Sequence, residues 1–346
     1  MTDLKSMTLE EITAALRAMG EPSFRGKQVF TWLHRGITDF DEMMNIPKSL
    51  REKLRAEYYI TVPTVARKQV SKLDGTIKYL WELSDGNCIE TVLMKYRHGN
   101  SLCISTQVGC RMGCNFCAST LGGLVRHLEP SEMLEQVYET VRQSGERVDS
   151  LVLMGIGEPL DNYDNVIRFL RLLTDPKGYN LGQRHISLST CGLVDRIYDL
   201  AKEDLGITLS ISLHAPDNET RNKTMPVNRR WPVEQLMQAC RDYFRTTGRR
   251  ISFEYALIKG VNDSPADAQK LAKLLDGMIC HVNLIPVNPV KERGYDRTAQ
   301  QDIRRFVDTL GRLGVNATVR RELGSDINAA CGQLRRQYEQ GEEAKA

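Results

Sequence analysis

From about residue 100 to residue 320, β-rich runs alternate with amphipathic helical stretches, and this alternation restricts the possible folds more than any other feature. Strands alternating with helices at this spacing favour a parallel sheet of the α/β class. Six or so such units indicate a (β/α)6-type barrel or partial barrel, in which functional residues collect at the carboxyl ends of the strands. The predicted strands lie near 102–107, 150–154, 185–189, 207–213, 251–257, 280–285 and 315–320.

Two other patterns precede the alternating region. Thr8 and Glu11 form a capping box ahead of apolar residues at helical spacing, and further helices are predicted over 25–34 and 47–58. Period-two segments at 78–82 and 89–94 flank an Asp-Gly turn and predict a small β-hairpin element. We therefore predict four regions: a helical N-terminal accessory domain at 1–60, a small β linker element at 61–100, a barrel core at 101–322 and a C-terminal tail at 323–346.

The composition excludes some classes of protein. The 346 residues are 41% hydrophobic and 26% charged, which is typical of a soluble globular chain. No apolar run approaches the roughly 18 residues of a membrane helix, and the first residues lack the regions of a signal peptide. We expect no membrane association and a cytoplasmic location. Nine cysteines, an odd number, suit metal ligation in a reducing compartment better than a disulfide framework.

Three cysteines form a C-x3-C-x2-C motif just after the first strand of the alternating region: Cys110, Cys114 and Cys117. Three thiolates on one loop indicate a metal centre. A structural zinc site needs a fourth protein ligand, whereas an iron–sulfur cluster held by three cysteines leaves one iron open for a substrate. A zinc loop that borrows a distant cysteine or histidine is the alternative, and the barrel context favours the cluster.

A second motif, GIGEP at 155–159, follows the second strand of the barrel. Taken alone it equally describes a tight turn with an exposed glutamate. Leu160 stands where a dinucleotide-binding fingerprint has its third glycine, which excludes that class of site.

These and further motifs resemble the radical SAM enzymes, and more closely the RlmN/Cfr family of RNA adenine methyltransferases on its RlmN branch. The resemblance covers nearly the whole chain, in the order of the family: QVGCRMGCNFCAST from 107, MGIGEP from 154, LSTCG from 188, ISLHAP from 211, NLIPVN from 283 and ACGQL from 330. It implies a radical SAM barrel that binds one [4Fe-4S] cluster and S-adenosyl-L-methionine.

The resemblance also implies which residues bind these groups. The cluster ligands would be Cys110, Cys114 and Cys117. Cys191 stands where serine is usual in the family. The residues implied to bind S-adenosyl-L-methionine are Gly157, Glu158, Ser189, Ser212, Leu213, His214 and Asn288.

A radical route is implied because adenine C2 has no lone pair with which to attack a methyl sulfonium. One S-adenosyl-L-methionine would methylate Cys331, and a second would supply a radical that takes hydrogen from the methylated Cys331. The carbon radical would add to C2, Glu90 would accept the ring proton, and Cys103 would attack the Cys331 sulfur, which leaves a transient disulfide. From the residues alone, a surface strand glutamate and two ordinary thiols are the alternatives.

The implied partners are 23S rRNA at a peptidyl-transferase-centre adenosine, tRNA at the adenosine 3' of the anticodon, and an electron donor such as flavodoxin or ferredoxin. A net charge of +3 permits nucleic-acid binding without demanding it. Basic windows at 221–230 and 241–250, and a local face with Arg25, Lys27 and Arg35, are either phosphate contacts or solvated faces.

Two other functions compete with adenine C2 methylation. One is Cfr-like methylation at C8 of the same rRNA adenosine, since both branches share every catalytic motif. The other is a zinc-bound RNA-binding module without activity, which has no use for Glu158, Ser189 and Asn288 together.

Overall fold

The computed structural model describes residues 1–288, 290, 292–327, 334–335 and 338. Its N-terminal part is helical, as predicted. Thr8 and Glu11 form the expected capping box, with Thr8 Oγ1 accepting from the Glu11 amide and the Glu11 carboxylate accepting from the Thr8 amide. A short parallel pair of strands closes this part. Its elements are β1 (Thr2–Asp3), α1 (Leu9–Ala18), α2 (Phe24–Leu33), α3 (Lys48–Glu57) and β2 (Tyr58–Tyr59).

The predicted hairpin element is the beginning of the main sheet. Neighbouring strands pair antiparallel through β3 (Thr64–Val70), β4 (Ile77–Glu82), β5 (Cys88–Tyr96) and β6 (Gly99–Cys103). Because β6 then pairs in parallel with the next barrel strand, the hairpin and the barrel share one continuous hydrogen-bonded sheet.

Beyond β6 the chain alternates strands and helices, which confirms the (β/α)6-type prediction. A short antiparallel pair, β7 (Gln107–Gly109) and β8 (Leu124–His127), flanks the cysteine motif. The remaining elements are α4 (Pro130–Ser144), β9 (Ser150–Leu153), α5 (Tyr163–Thr174), β10 (Ile186–Thr190), α6 (Val194–Leu200), β11 (Thr208–Ser212), α7 (Asn218–Thr224), α8 (Val233–Thr247), β12 (Ile251–Leu257), α9 (Pro265–Leu274), β13 (Cys280–Pro286), α10 (Gln300–Arg312) and β14 (Ala317–Val319).

The sheet has the order β14-β13-β12-β11-β10-β9-β6-β5-β4-β3, and it is parallel from β6 to β14. Apolar residues alternate with polar ones along β10 (ISLST) and β11 (TLSIS), and the apolar ones are buried in the core. The positions of the parallel strands agree with the predicted ones to within about two residues, except that the first strand, predicted at 102–107, is β6 and ends at Cys103. In the described residues, no helix is both long and apolar enough to cross a membrane.

The helix α4 joins the N-terminal helices to the barrel. The buried Lys5 forms an ion pair with the Glu135 carboxylate and donates to the Ile37 carbonyl at 2.7 Å. His34 and Tyr138, both buried, share a hydrogen bond of 2.7 Å between Nδ1 and the phenolic oxygen. A buried ion pair cannot lose one partner cheaply, so these contacts fix the N-terminal helices on the barrel.

Candidate active site at the carboxyl ends of the parallel strands

A pocket of about 280 Å³ opens at the carboxyl ends of the parallel strands. Parallel barrels collect their functional residues at this end. Every residue predicted to bind the cluster or S-adenosyl-L-methionine lines the pocket except Leu213, which is fully buried beside it. The lining set is Cys110, Cys114, Cys117, Gly157, Glu158, Ser189, Ser212, His214 and Asn288.

The cysteine loop is held in shape by its backbone and by α7. The Cys110 amide donates to the Gly123 carbonyl at 2.8 Å. Asn115 donates from its amide to the Thr224 carbonyl at 2.8 Å and from its side chain to the Lys223 carbonyl at 2.6 Å. Gly109 has φ +77°, and a Cβ there would collide with the Gly123 carbonyl oxygen, so only glycine suits this crossing.

The three thiols are buried or half-buried in the pocket wall. Burial raises the pKa of the Cys110 thiol to about 12 and also raises the pKa of Cys114. Bound iron would deprotonate such thiols outright. A cluster held by three cysteines would need three thiols around one pocket, and Cys110, Cys114 and Cys117 all line this one.

Glu158 connects the turns that follow β9 and β10. Its carboxylate accepts from the Leu160 amide at 3.0 Å and the Cys191 amide at 2.8 Å, and its own amide donates to Gln107 Oε1 at 2.8 Å. The residue is 4% exposed, so the alternative of an exposed turn glutamate is wrong. Burial raises the pKa of the Glu158 carboxyl, and the hydrogen bonds oppose that rise.

Polar groups at the ends of β10 and β11 also line the pocket. Ser189 and Ser212 hydroxyls lie 3.2 Å apart across the two strands. His214 follows β11, and its Nδ1 accepts from the Ala256 amide at 2.8 Å. Burial, with the nearby positive charge of Arg221, lowers the pKa of His214 to about 3. The ring is therefore neutral at physiological pH.

Two residues of this region did not emerge from the sequence. Glu254 on β12 lines the pocket and accepts from the Asn283 side-chain amide at 2.7 Å. A glutamate inside the mostly apolar strand ISFEYAL was the sequence feature that could have indicated a functional role. Arg221 belongs to the basic window at 221–230, yet it is fully buried, whereas Lys223, Arg229 and Arg230 are exposed. Nothing in the window distinguishes Arg221 from its neighbours.

Glu90 and Cys103 lie on one face of the sheet beside the pocket. Val92 is directly opposite Cys103, and Glu90 lies two residues before Val92 on β5, which puts all three on the same face. Cys103 packs in a cluster with Val92 and Met154, and Met154 also lines the pocket. Glu90 is 2% exposed, so the alternative of a surface glutamate is wrong.

The Glu90 carboxylate has partners that the sequence did not reveal. The ammonium group of the fully buried Lys78 lies 3.1 Å from Glu90 Oε2, and the Arg335 amide donates to Glu90 Oε1 at 2.6 Å. Leu334 packs with Leu80 and Cys88. Leu334 and Arg335 therefore lie against this face.

Cys331 itself lies outside the described residues, as do most of the neighbours that form its motif. No disulfide joins two of the described cysteines. The Cys103–Cys331 disulfide therefore stays a prediction.

Comparisons with known proteins match nearly the whole chain to one family. Residues 104–273 match the model of the radical SAM superfamily, and residues 2–60 match that of the ribosomal RNA large subunit methyltransferase N-terminal domain. A protein of Clostridium novyi (strain NT), named probable dual-specificity RNA methyltransferase RlmN, is 53% identical over 98% of this chain and 99% of its own length. A relative of the same name from Lachnoclostridium phytofermentans is 54% identical, over 97% of this chain and 95% of its own length.

A solved structure has a similar fold over nearly the whole chain. The crystal structure of a radical SAM methyltransferase from Sphaerobacter thermophilus superposes with a TM-score of 0.91, at 45% identity, over 96% of this chain and 99% of that one. Both levels of comparison bear out the family expected from the motifs, together with its [4Fe-4S] cluster and S-adenosyl-L-methionine. The chain belongs to the RlmN family of radical SAM RNA methyltransferases.

Proposed function

We propose that this methyltransferase acts on C2 of an adenosine in 23S rRNA and of the adenosine 3' of the anticodon in tRNA, through a methylated Cys331. The observation that carries the proposal is the shared face of the sheet, where buried Glu90 and Cys103 lie beside the pocket and the 334–335 segment packs next to them. Relatives 53% and 54% identical that are named dual-specificity RNA methyltransferases support two RNA substrates and the RlmN type of chemistry.

The pocket residues fit the two groups that the family binds. Cys110, Cys114 and Cys117 would hold the cluster, and Gly157 and Glu158 would hold S-adenosyl-L-methionine, with Ser189, Ser212, Leu213, His214 and Asn288. When bound, these groups supply a carbon-centred radical and the methyl group, which adenine C2 cannot take by displacement. The protein contributes three thiols in the pocket and, beside it, the buried carboxylate of Glu90.

Glu90 suits the role of proton acceptor. The Lys78 ammonium group at 3.1 Å and the Arg335 amide at 2.6 Å hold the buried Glu90 carboxylate in place. The ionised carboxylate is the form that accepts a proton from the adenine ring. Cys103, on the same face, would then form a bond to the Cys331 sulfur as the product leaves, and a thiol reductant would restore both thiols.

The N-terminal domain supplies a surface for RNA. Along α2 and just beyond it, Lys27 and Arg35 are exposed and border a shallow depression together with Phe24 and Trp32. The Arg35 guanidinium lies 5.0 Å from the Trp32 ring centre. Cations interleaved with aromatic rings can contact both phosphates and unstacked bases, so we assign this face to RNA outside the target adenosine, which must itself leave its stack.

Product analysis tests the proposed function. Incubated anaerobically with unmodified large-subunit rRNA, S-adenosyl-L-methionine and a reductant, the full-length chain is expected to yield 2-methyladenosine. Nuclease digestion followed by mass spectrometry against synthetic standards distinguishes the isomers. A product consisting only of 8-methyladenosine would establish the Cfr-like alternative, and RNA binding without any methylated product would favour the binding module.

Substitution of Gly157 tests the cofactor pocket separately from catalysis. Gly157 has φ +113°, and a Cβ there would lie 2.7 Å from Gln107 Cβ. Because Gln107 also accepts from the Glu158 amide, Gly157→Ala is expected to displace this turn and weaken S-adenosyl-L-methionine binding by roughly tenfold or more, a loss of about 1.4 kcal/mol. Equilibrium dialysis with the labelled cofactor measures the affinity.

The control is Gly311→Ala in α10, where an added Cβ meets nothing within 4 Å. This variant is expected to bind the cofactor like the wild type. Unchanged affinity in Gly157→Ala would remove this turn from the binding site.

A further inference from the structure

A buried guanidinium lies beside the pocket without lining it. Arg221 on α7 is 0% exposed. Its Nε donates to the Leu213 carbonyl at 3.1 Å, and one Nη donates to Asn228 Oδ1 at 3.0 Å. The other Nη donates to the carbonyls of Cys191 and Ser212. These acceptors are neutral, and no carboxylate within the described part of the chain forms an ion pair with Arg221.

Arg221 lies on the helix that holds the cysteine loop in place. The loop is tied to the end of α7 by the two hydrogen bonds from Asn115, and Arg221 lies about one turn earlier on that helix. Arg221 also donates to the carbonyl of Cys191, and Cys191 lines the same pocket as Cys114. The guanidinium therefore lies just outside the pocket, between the turn after β10 and the helix that holds the cysteine loop.

Burying a cation whose hydrogen-bond acceptors are all neutral costs folding free energy. An anion nearby offsets that cost. Three thiolates outweigh the positive charge of an iron–sulfur core, so a cluster on Cys110, Cys114 and Cys117 is anionic and becomes more so on reduction. We propose that Arg221 is a positioning residue whose charge stabilises the reduced cluster and raises its midpoint potential. This inference rests on the cluster placement in the proposed function.

The redox step itself is simple. One electron from an external one-electron donor enters the cluster, and no bond to the protein forms or breaks. The added negative charge is stabilised by the fixed guanidinium, which remains protonated at all relevant pH values. Nearby charge and hydrogen bonding are among the factors that set the potentials of iron–sulfur clusters. The buried position makes the effect insensitive to salt.

The test is a dithionite titration of the reconstituted full-length protein, without S-adenosyl-L-methionine, followed by electron paramagnetic resonance of the reduced cluster. In Arg221→Gln the equilibrium constant for one-electron reduction is expected to fall roughly tenfold or more, which lowers the midpoint potential by about 59 mV. A wild-type potential in this variant would overturn the inference.

Asn228 offers a matched pair of variants that separates charge from structure. It is 1% exposed, accepts from Arg221 and donates to Asn218 and Asn222 at 3.0 and 2.8 Å. Asn228→Asp and Asn228→Ala both remove the two donated hydrogen bonds, but only aspartate cancels the charge of Arg221. Asn228→Asp is expected to lower the midpoint potential of the cluster. In Asn228→Ala the equilibrium constant for one-electron reduction is expected to stay within about threefold of the wild-type value.

Equal potentials in the two Asn228 variants would overturn the inference even if Arg221→Gln failed to fold or to take up iron. The same experiment also distinguishes a failure of this inference from a failure of the proposed function. A wild-type chain without a cluster signal would refute the cluster site, and this inference with it. A normal wild-type signal with unshifted potentials in the variants would refute only the role of Arg221.

Discussion

Replacing Cys110, Cys114 or Cys117 by alanine is expected to abolish cluster binding and methyl transfer together. The wild-type chain, purified or reconstituted without oxygen, should carry about four irons and four sulfides. Two remaining thiolates cannot hold a cubane that must also leave one iron open for S-adenosyl-L-methionine. Iron and sulfide analysis, together with the brown absorption of the cluster, measures the loss, and the product assay measures activity.

Cys240→Ala is the matched control, since Cys240 is fully buried on α8 and does not line the pocket. Removing its sulfur leaves a small cavity, at a cost of about 1 kcal/mol, and the iron content should stay at the wild-type level. Stoichiometric zinc in protein reconstituted anaerobically with iron and sulfide would contradict the cluster and return the zinc loop to consideration.

The parallel strands and their ends could be predicted from the sequence because both signals are local. Buried apolar side chains recur at every second position, such as Ile186 and Leu188 in β10, and β10 and β12 lie within a residue or so of their predicted positions. The chemistry-bearing turns directly follow such strands. Glu158 and His214 could therefore be placed at one end of the sheet before their distances were known.

Contacts between distant segments could not be predicted in this way. Alternation along β5 indicated a strand, but it did not reveal that β5 pairs with β6 and extends the barrel sheet. Lys78 looks like an ordinary polar position of a hairpin, and only the register with β5 brings it to Glu90. Arg221 lies in the same basic window as three exposed residues, Lys223, Arg229 and Arg230. Its burial depends on tertiary packing, which the neighbouring residues in the sequence do not reveal.

Cys331→Ala and Cys103→Ala are expected to fail at different steps. Without the Cys331 sulfur there is no atom to carry the methyl group, so neither hydrogen abstraction nor addition to adenine can follow. Turnover should be undetectable, although iron content and S-adenosyl-L-methionine binding should persist. In Cys103→Ala, Cys331 can still be methylated and can still add to C2. Nothing then breaks the bond between its methylene-bearing sulfur and the base.

A covalent protein–RNA adduct should therefore accumulate in Cys103→Ala and be absent from Cys331→Ala and from the double variant. Denaturing electrophoresis would show a slow, nuclease-sensitive band, and mass spectrometry should place the adduct on the peptide that contains Cys331. Cys280→Ala, which removes a half-buried thiol at the start of β13, should turn over normally and accumulate no adduct. Normal turnover of Cys103→Ala would instead make Cys103 an ordinary buried thiol of β6, and release of the product would require another nucleophile.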